Sequence, residues 1–284
     1  MNGLPLNEII HGDCLEVMRQ FPDKSIDMIL CDLPYGTTAC KWDTVIPFEP
    51  LWEQYNRIIK KHGAIVLFGI EPFASNLRMS NIKNYKHEWV WNKEQAGNFI
   101  QAKNHPLRVT ENIMVFCNEK VRYYPIMEKA KEENKRPLSV KLQKTNFLGK
   151  VSQGEFKPSE NYNPDLRYPK NILTFNAGSK ECNNVNRVHP AQKPVALFEY
   201  LIKTYTLPGE VVLDNCIGSG TTAIACINTG RNFIGIEIDE KYVKIARERI
   251  EKHKKLDKMR LFPISELETG KLQYKGLFEL EDEE

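Results

Sequence analysis

Four apolar runs set the rhythm of the chain: Ile26–Cys31 (IDMILC), 64–69 (AIVLFG), 211–213 (VVL) and 233–238 (FIGIEI), each flanked by turn or helix signals. Short continuous apolar runs of this kind predict strands buried on both faces. Between them apolar residues recur at helical spacing. Leu51, Tyr55, Ile58 and Ile59 share one face of a helix predicted over 49–62, with Gly63 closing it. A second helix is expected to start near Thr221 and stop at Gly230, and a third carries Tyr242, Val243, Ala246 and Ile250 on one face. Residues 87–91 and 112–116 read as outer strands. Strands alternating with amphipathic helices predict an α/β fold with a mostly parallel sheet covered on both faces.

The rhythm fails over 129–187, where no long apolar period survives and Pro137, Pro158, Pro164 and Pro169 punctuate the chain. That stretch holds 12 Lys/Arg against 6 Asp/Glu, a net +6 in a chain whose total is +3, so the remainder sits at −3. It reads either as a solvated, loop-rich lobe or as a surface that meets phosphates, since interleaved Tyr, Phe and Asn suit backbone and base contacts. The chain has 284 residues, 41% of them hydrophobic and 27% charged, as in an ordinary globular protein. No apolar run approaches the roughly 18 residues of a membrane span. The opening MNGLPLNEIIHGD has neither a basic nor an apolar leader segment, so no secretion is expected. Seven cysteines stand apart with no CxxC pair, which argues against a disulfide scaffold or a zinc module and fits reduced thiols.

Candidate chemistry gathers where strands end. The run Asp214-Asn215-Cys216-Ile217-Gly218-Ser219-Gly220-Thr221-Thr222 leads a buried strand into a glycine turn that opens a helix, where backbone can approach a ligand closely. The following strand ends at Glu237, Ile238 and Asp239, and an acid at a second-strand tip is placed to hold a ribose hydroxyl pair. The turn lacks the lysine of a triphosphate loop. Glycines alone would suit a structural tight turn; Glu237 in step with them points to a nucleoside cofactor. A second strand ends in Asp32-Leu33-Pro34-Tyr35. Pro34 biases Leu33 toward an extended conformation whose carbonyl points outward. A carboxylate, a carbonyl and an aromatic ring within four residues suit a planar, amine-bearing ring. The alternative is a strand-ending proline turn with Tyr35 packed on its rim.

Together these motifs resemble those of the S-adenosylmethionine-dependent DNA amino-methyltransferases of restriction–modification type. Asp32-Leu33-Pro34-Tyr35 resembles the catalytic Asp-Pro-Pro-Tyr of that family, and the 214–222 run resembles its Asp-Pro-Phe-x-Gly-Ser-Gly-Thr-Thr cofactor loop. His189-Pro190-Ala191-Gln192-Lys193-Pro194 resembles the His-Pro-Thr-Gln-Lys-Pro segment beside the methionine end of the cofactor. Gly12-Asp13-Cys14 resembles the Gly-Asp-Cys element at its adenine. The catalytic motif precedes the cofactor loop, the order of the β group, and matching segments span about 10–250 outside the insert. Two departures stand out: Leu33 replaces a proline, and Asn215-Cys216 replaces Pro-Phe, removing a ring that packs beside the cofactor.

The resemblance implies a Rossmann-like methyltransferase fold with permuted motif order. Its parts would be a catalytic half over 1–128, an inserted target-recognition lobe over 129–187, a cofactor-binding half over 188–255 and a peripheral extension over 256–284. It assigns catalysis to Asp32, Leu33, Pro34 and Tyr35. Cofactor binding falls to Asp13, Cys14, Asp32, His189, Lys193, Pro194, Asp214, Cys216, Gly218, Ser219, Gly220, Thr221, Thr222, Glu237 and Ile238. No metal is expected, and the spent cofactor is S-adenosylhomocysteine. The implied partner is double-stranded DNA in the cytoplasm, the enzyme being of bacterial or phage-encoded type, with no membrane; a homodimer and a cognate restriction endonuclease stay open.

The implied reaction is methylation of an exocyclic base amine, with the base flipped from the duplex and stacked on Tyr35. Adenine N6 is favoured because aspartate opens the tetrapeptide more often in that branch; cytosine N4 is the alternative, and a non-catalytic DNA-binding relic the third. None of the seven cysteines follows a proline, which argues against C5-cytosine chemistry. Plainer roles exist for single residues: His189 would merely end the insert, Lys193 would be a solvated first-turn lysine, Trp91 reads as core, and Asp13 would cap a helix starting at Cys14.

Overall fold

A computed structural model of the chain describes residues 3–37, 43–97, 99–130, 163, 165–177 and 192–259. His189, Cys40, Cys182, most of the 129–187 insert and all of 260–284 lie outside the described residues. The elements are β1 (Glu8–His11), α1 (Cys14–Met18), β2 (Ile26–Cys31), α2 (Phe48–Ile58), β3 (Ile59–Gly69), α3 (Phe73–Ser80), β4 (Tyr85–Gly97), β5 (Arg108–Phe116), β6 (Glu128–Lys129), β7 (Leu166–Arg167), β8 (Ile172–Thr174), α4 (Val195–Tyr205), β9 (Val211–Asp214), α5 (Thr221–Thr229), β10 (Asn232–Glu237) and α6 (Glu240–Met259).

Among the described residues, eight strands form one sheet in the order β1-β10-β9-β2-β3-β5-β4-β8. All neighbours pair in parallel except at β5, which runs against β3 and β4. The expected mostly parallel α/β sheet is therefore present. Its apolar runs are continuous because both faces are covered. Met28 and Leu30 of β2 join Ala64, Val66 and Phe68 of β3 under α4, α5 and α6, while Ile29 and Cys31 join Ile65 and Leu67 under α1, α2 and α3. The period-2 alternation of a strand thus feeds two separate cores.

Three sequence expectations change. The helix predicted over 49–62 stops at Ile58, because Ile59 adopts extended geometry (φ −70°, ψ 139°) and begins β3. Ile26 pairs with Ile59 but Met28 with Ala64, so β3 carries a bulge. Gly63 lies inside that bulge, where a Cβ would stand 2.6 Å from the Asp27 carbonyl oxygen; it permits close backbone approach and caps no helix. The 129–187 insert is not set apart along its whole length. Its β8 lies in the main sheet beside β4, Trp91 Nε1 donates to the Phe175 carbonyl at 2.8 Å, and β6 at the start of the insert pairs with β7. Finally, α6 continues through Met259, so the extension expected from 256 begins as helix.

The topology places the site. From β9 the chain crosses through α5 to β10 on one side, and from β2 through α2 to β3 on the other. The carboxyl ends of β9 and β2 are therefore adjacent where the strand order reverses, and open α/β sheets bind ligands in that crevice.

Candidate active site

A cavity of about 710 Å³ opens over the carboxyl ends of β1, β2, β9 and β10 and extends along β4 and β5. Of the residues anticipated from sequence, Asp13, Cys14, Asp32, Leu33, Pro34, Tyr35, Lys193, Asp214, Cys216, Gly218, Ser219, Thr221, Thr222, Glu237 and Ile238 all line it. Two do not. Gly220 turns away as the left-handed N-cap of α5 (φ +83°), where a Cβ would meet Ala246 Cβ at 3.2 Å. Pro194 is the N-cap residue of α4. Both shape the site from behind.

At one end of the cavity Asp32 leaves the tip of β2. Tyr35 Oη donates to its Oδ1 at 2.5 Å and Lys193 Nζ donates to its Oδ2. Among the described residues nothing donates to the Leu33 carbonyl. Lys193 is buried and stands 3.6 Å from Glu111 Oε2, while Glu111 Oε1 accepts from Lys93 Nζ at 3.1 Å. Lys193 is thus no solvated first-turn lysine; its ammonium sits between two carboxylates. Glu111 and Lys93 were not anticipated. Each is a charge within an outer strand, and a carboxylate at the head of the apolar 112–116 run is the signal that could have drawn attention to them.

Burial pushes the Asp32 carboxyl above its usual range; Lys193 and the Tyr35 hydroxyl oppose this, and Glu111 adds to it. Burial alone would also raise Glu111, but Lys193 and Lys93 outweigh it and hold that carboxyl low. For Lys193, burial would favour loss of the proton, yet Asp32 and Glu111 outweigh it and raise its pKa. The cluster therefore keeps a charged lysine beside a catalytic-type carboxylate.

At the other end, Glu237 Oε2 accepts the Gly218 N–H at 2.8 Å and Oε1 accepts the Asp239 N–H at 3.0 Å. This carboxylate fastens the glycine turn to the tip of β10 and keeps lone pairs for hydroxyl donors. Burial raises its pKa, restrained by those N–H bonds. Asp214 Oδ1 accepts the Cys216 N–H at 3.1 Å and its Oδ2 the Thr222 hydroxyl, so it shapes the turn from within; burial lifts its carboxyl to about 7. Asp13 is a helix cap, Oδ1 accepting from the Leu15 and Glu16 N–H groups at 2.8 and 3.2 Å, and it lines the cavity as well.

Both residues of the Asn215-Cys216 departure find partners. Asn215 Oδ1 accepts from the Tyr55 hydroxyl of α2 at 2.5 Å. Cys216 lies against Cys14 and Cys31, and burial pushes the Cys31 thiol up to about 12, so this group fills space as neutral thiol. Trp91 is buried core, as expected, and one edge of it reaches the cavity. Among the described residues no His/Cys/Asp/Glu group is arranged to hold a metal.

A parallel sheet with a glycine turn and an acid at successive strand tips, beside an Asp-x-Pro-Tyr end, is the arrangement of a nucleoside-cofactor enzyme acting on a planar amine. The chain belongs to the DNA methylase family, whose model matches residues 26–248. Over 95% of its length it is 30% identical to the DNA adenine methyltransferase YhdJ of Escherichia coli K12, covering 91% of that protein. Among solved structures it matches M1.HpyAVI in complex with SAM (TM-score 0.57, 24% identity, 86% of this chain and 98% of that one). It also matches the cytosine-N4-specific PvuII DNA methyltransferase (TM-score 0.59, 16% identity, 87% and 90%). These two likenesses are of fold.

Proposed function

We propose that this DNA methylase transfers the methyl group of S-adenosylmethionine to N6 of an adenine flipped out of double-stranded DNA. The observation that carries the reading is the Asp32 end of the cavity, where a half-buried carboxylate, held on both oxygens, adjoins Leu33, whose carbonyl takes no donor among the described residues. A volume of about 710 Å³ suits a small-molecule site, for which about 300–1,000 Å³ is usual. The Glu237 end supplies acceptors for ribose hydroxyls and the glycine turn a close backbone wall. When bound, S-adenosylmethionine supplies an electrophilic sulfonium methyl.

The exocyclic nitrogen of adenine is a poor nucleophile because its lone pair is delocalised into the ring. Asp32 and the Leu33 carbonyl accept its two N–H bonds and favour the tetrahedral, positively charged nitrogen of the transition state. Each Asp32 oxygen already accepts one bond, from Tyr35 or Lys193, and each has a second lone pair for the base. The rest is positioning, with Tyr35 as the stacking face. Adenine is favoured over cytosine by the opening aspartate of the tetrapeptide and by the adenine-specific name of the 30% identical relative. Nucleoside mass spectrometry of DNA from an expressing host tests this: N6-methyladenine is expected, N4-methylcytosine would move the target, and unmodified DNA would return the chain to the relic reading.

Glu237→Ala should weaken S-adenosylmethionine binding by about 1.5–3 kcal/mol, the worth of hydrogen bonds to a charged group. Calorimetric titration reads this, and equal affinities would remove Glu237 from the ribose. The basic insert is assigned to phosphates. DNA affinity should fall with salt at a log–log slope near −0.9 per neutralised phosphate, and replacing Lys141 and Lys144 by Gln should flatten it by up to about 2 without changing the methylated sequence. Both lysines lie outside the described residues. A slope untouched by neutralising every lysine of the insert would make it a solvated lobe. No helix among the described residues is long and apolar enough to cross a membrane. The reading places the enzyme with DNA in the cytoplasm; a homodimer and a cognate endonuclease are expectations it does not require.

A further inference from the structure

We propose that the tip of the β4–β5 hairpin is a wedge that enters the DNA duplex where the target base leaves it, with Phe99 and Ile100 as the inserted side chains. This rests on the flipped-base reading above. The hairpin is bent by an irregularity in β4: Asn92 faces Thr110 but Gly97 faces Arg108, so five steps of β4 answer two of β5. Glu94 takes a left-handed conformation there (φ +59°), and its N–H is held by Asn92 Oδ1 at 3.1 Å. Such bulges re-aim a strand. Here Gln95, Ala96 and Gly97 become part of the cavity wall, on the same two strands that carry Lys93 and Glu111 to the Asp32 cluster.

Beyond Gly97 the chain makes a single 3₁₀ turn, Phe99–Gln101, and leaves its two largest apolar side chains in water, Phe99 69% and Ile100 94% exposed. One exposed apolar residue would mean nothing. Two adjacent ones on the point of a hairpin that forms the wall of the catalytic cavity are placed to meet something. The flanks indicate what: from Gln95 to Thr110 the chain has no Asp or Glu, and Lys103, His105 and Arg108 are exposed around the tip. A basic collar suits duplex phosphates. Apolar side chains inserted between base steps offset the unstacking that flipping requires. Continuity with the catalytic cavity, an apolar point and a collar free of acids select duplex DNA as the occupant.

The test uses the full chain and a duplex carrying its mapped target adenine, either paired or placed opposite an abasic site. The double variant Phe99→Ala/Ile100→Ala should methylate the paired duplex about 10- to 100-fold more slowly, since it must unstack the base without compensation. It should approach the wild-type rate on the unpaired target and bind S-adenosylmethionine normally. Equal rates of variant and wild type on the paired duplex would overturn the wedge, as would an equal loss on both substrates, which marks a merely structural tip. So would dissociation of a wild-type dimer by the double substitution in sedimentation, which assigns the tip to a second copy of the chain. A wild-type protein that methylates neither duplex would instead overturn the proposed function.

Discussion

Asp32→Ala should leave S-adenosylmethionine affinity within a few-fold and lower methyl transfer to DNA by at least about 10²–10³-fold, the scale of losing a preorganised group aimed at transition-state charge. The carboxylate stands at the tip of β2, held by Tyr35 on one oxygen and Lys193 on the other, so its geometry is set before any base arrives. Its removal deletes the acceptor that grows in value as positive charge develops on nitrogen, and the loss should appear in kcat rather than in KM for the cofactor. Removal also leaves Lys193 facing Glu111 alone, which keeps the ammonium paired and the fold intact. Tritium transfer from labelled cofactor measures the effect. Near-normal turnover would show that the carboxylate plays no part in chemistry.

What the sequence made legible follows from how local each feature is. The six residues of β2 read as a buried strand because all six are buried, and the helix from Thr221 to Gly230 was bounded correctly because both glycines adopt left-handed φ at its ends. The glycine turn and Glu237 lie at fixed offsets on consecutive elements, so their meeting was foreseeable. The end of α2 was not. The helix-compatible stretch 59–62 (IKKH) was claimed by β3, whose Ile59 pairs with Ile26 of β2, and only tertiary contact explains why Gly63 must come within reach of the Asp27 carbonyl. The joining of β8 to β4 was hidden for the same reason: three residues carry too little pattern to reveal a sheet partner some eighty positions earlier in the chain. At the site, Asp32 was singled out for catalysis and the cofactor and Lys193 for the cofactor, but neither for the other. Their pairing spans 161 positions and depends on β5 delivering Glu111 to the same spot, which no local spacing encodes.

That pairing carries the second large effect. Lys193→Met should lower methyl transfer near neutral pH by about 10- to 100-fold, with much of the loss regained as pH rises, while Lys193→Arg keeps most activity. The sign follows from the carboxylates. Burial raises Asp32 and Lys193 opposes it; without the ammonium the Asp32 carboxyl rises further. Glu111 loses one of the two lysines that hold it low, and the like charges of the pair then favour sharing a proton. Only ionised Asp32 accepts both the base and its developing charge, so the acidic limb of the kcat profile moves to higher pH. The sequence expectation, in which Lys193 serves the methionine end of the cofactor, leads elsewhere: Lys193→Met would raise KM for S-adenosylmethionine at every pH and leave the acidic limb in place. Measuring kcat and cofactor KM across pH 6–9.5 separates the two. An unmoved limb with a raised KM would return Lys193 to the cofactor and leave Asp32 to be kept ionised by other means.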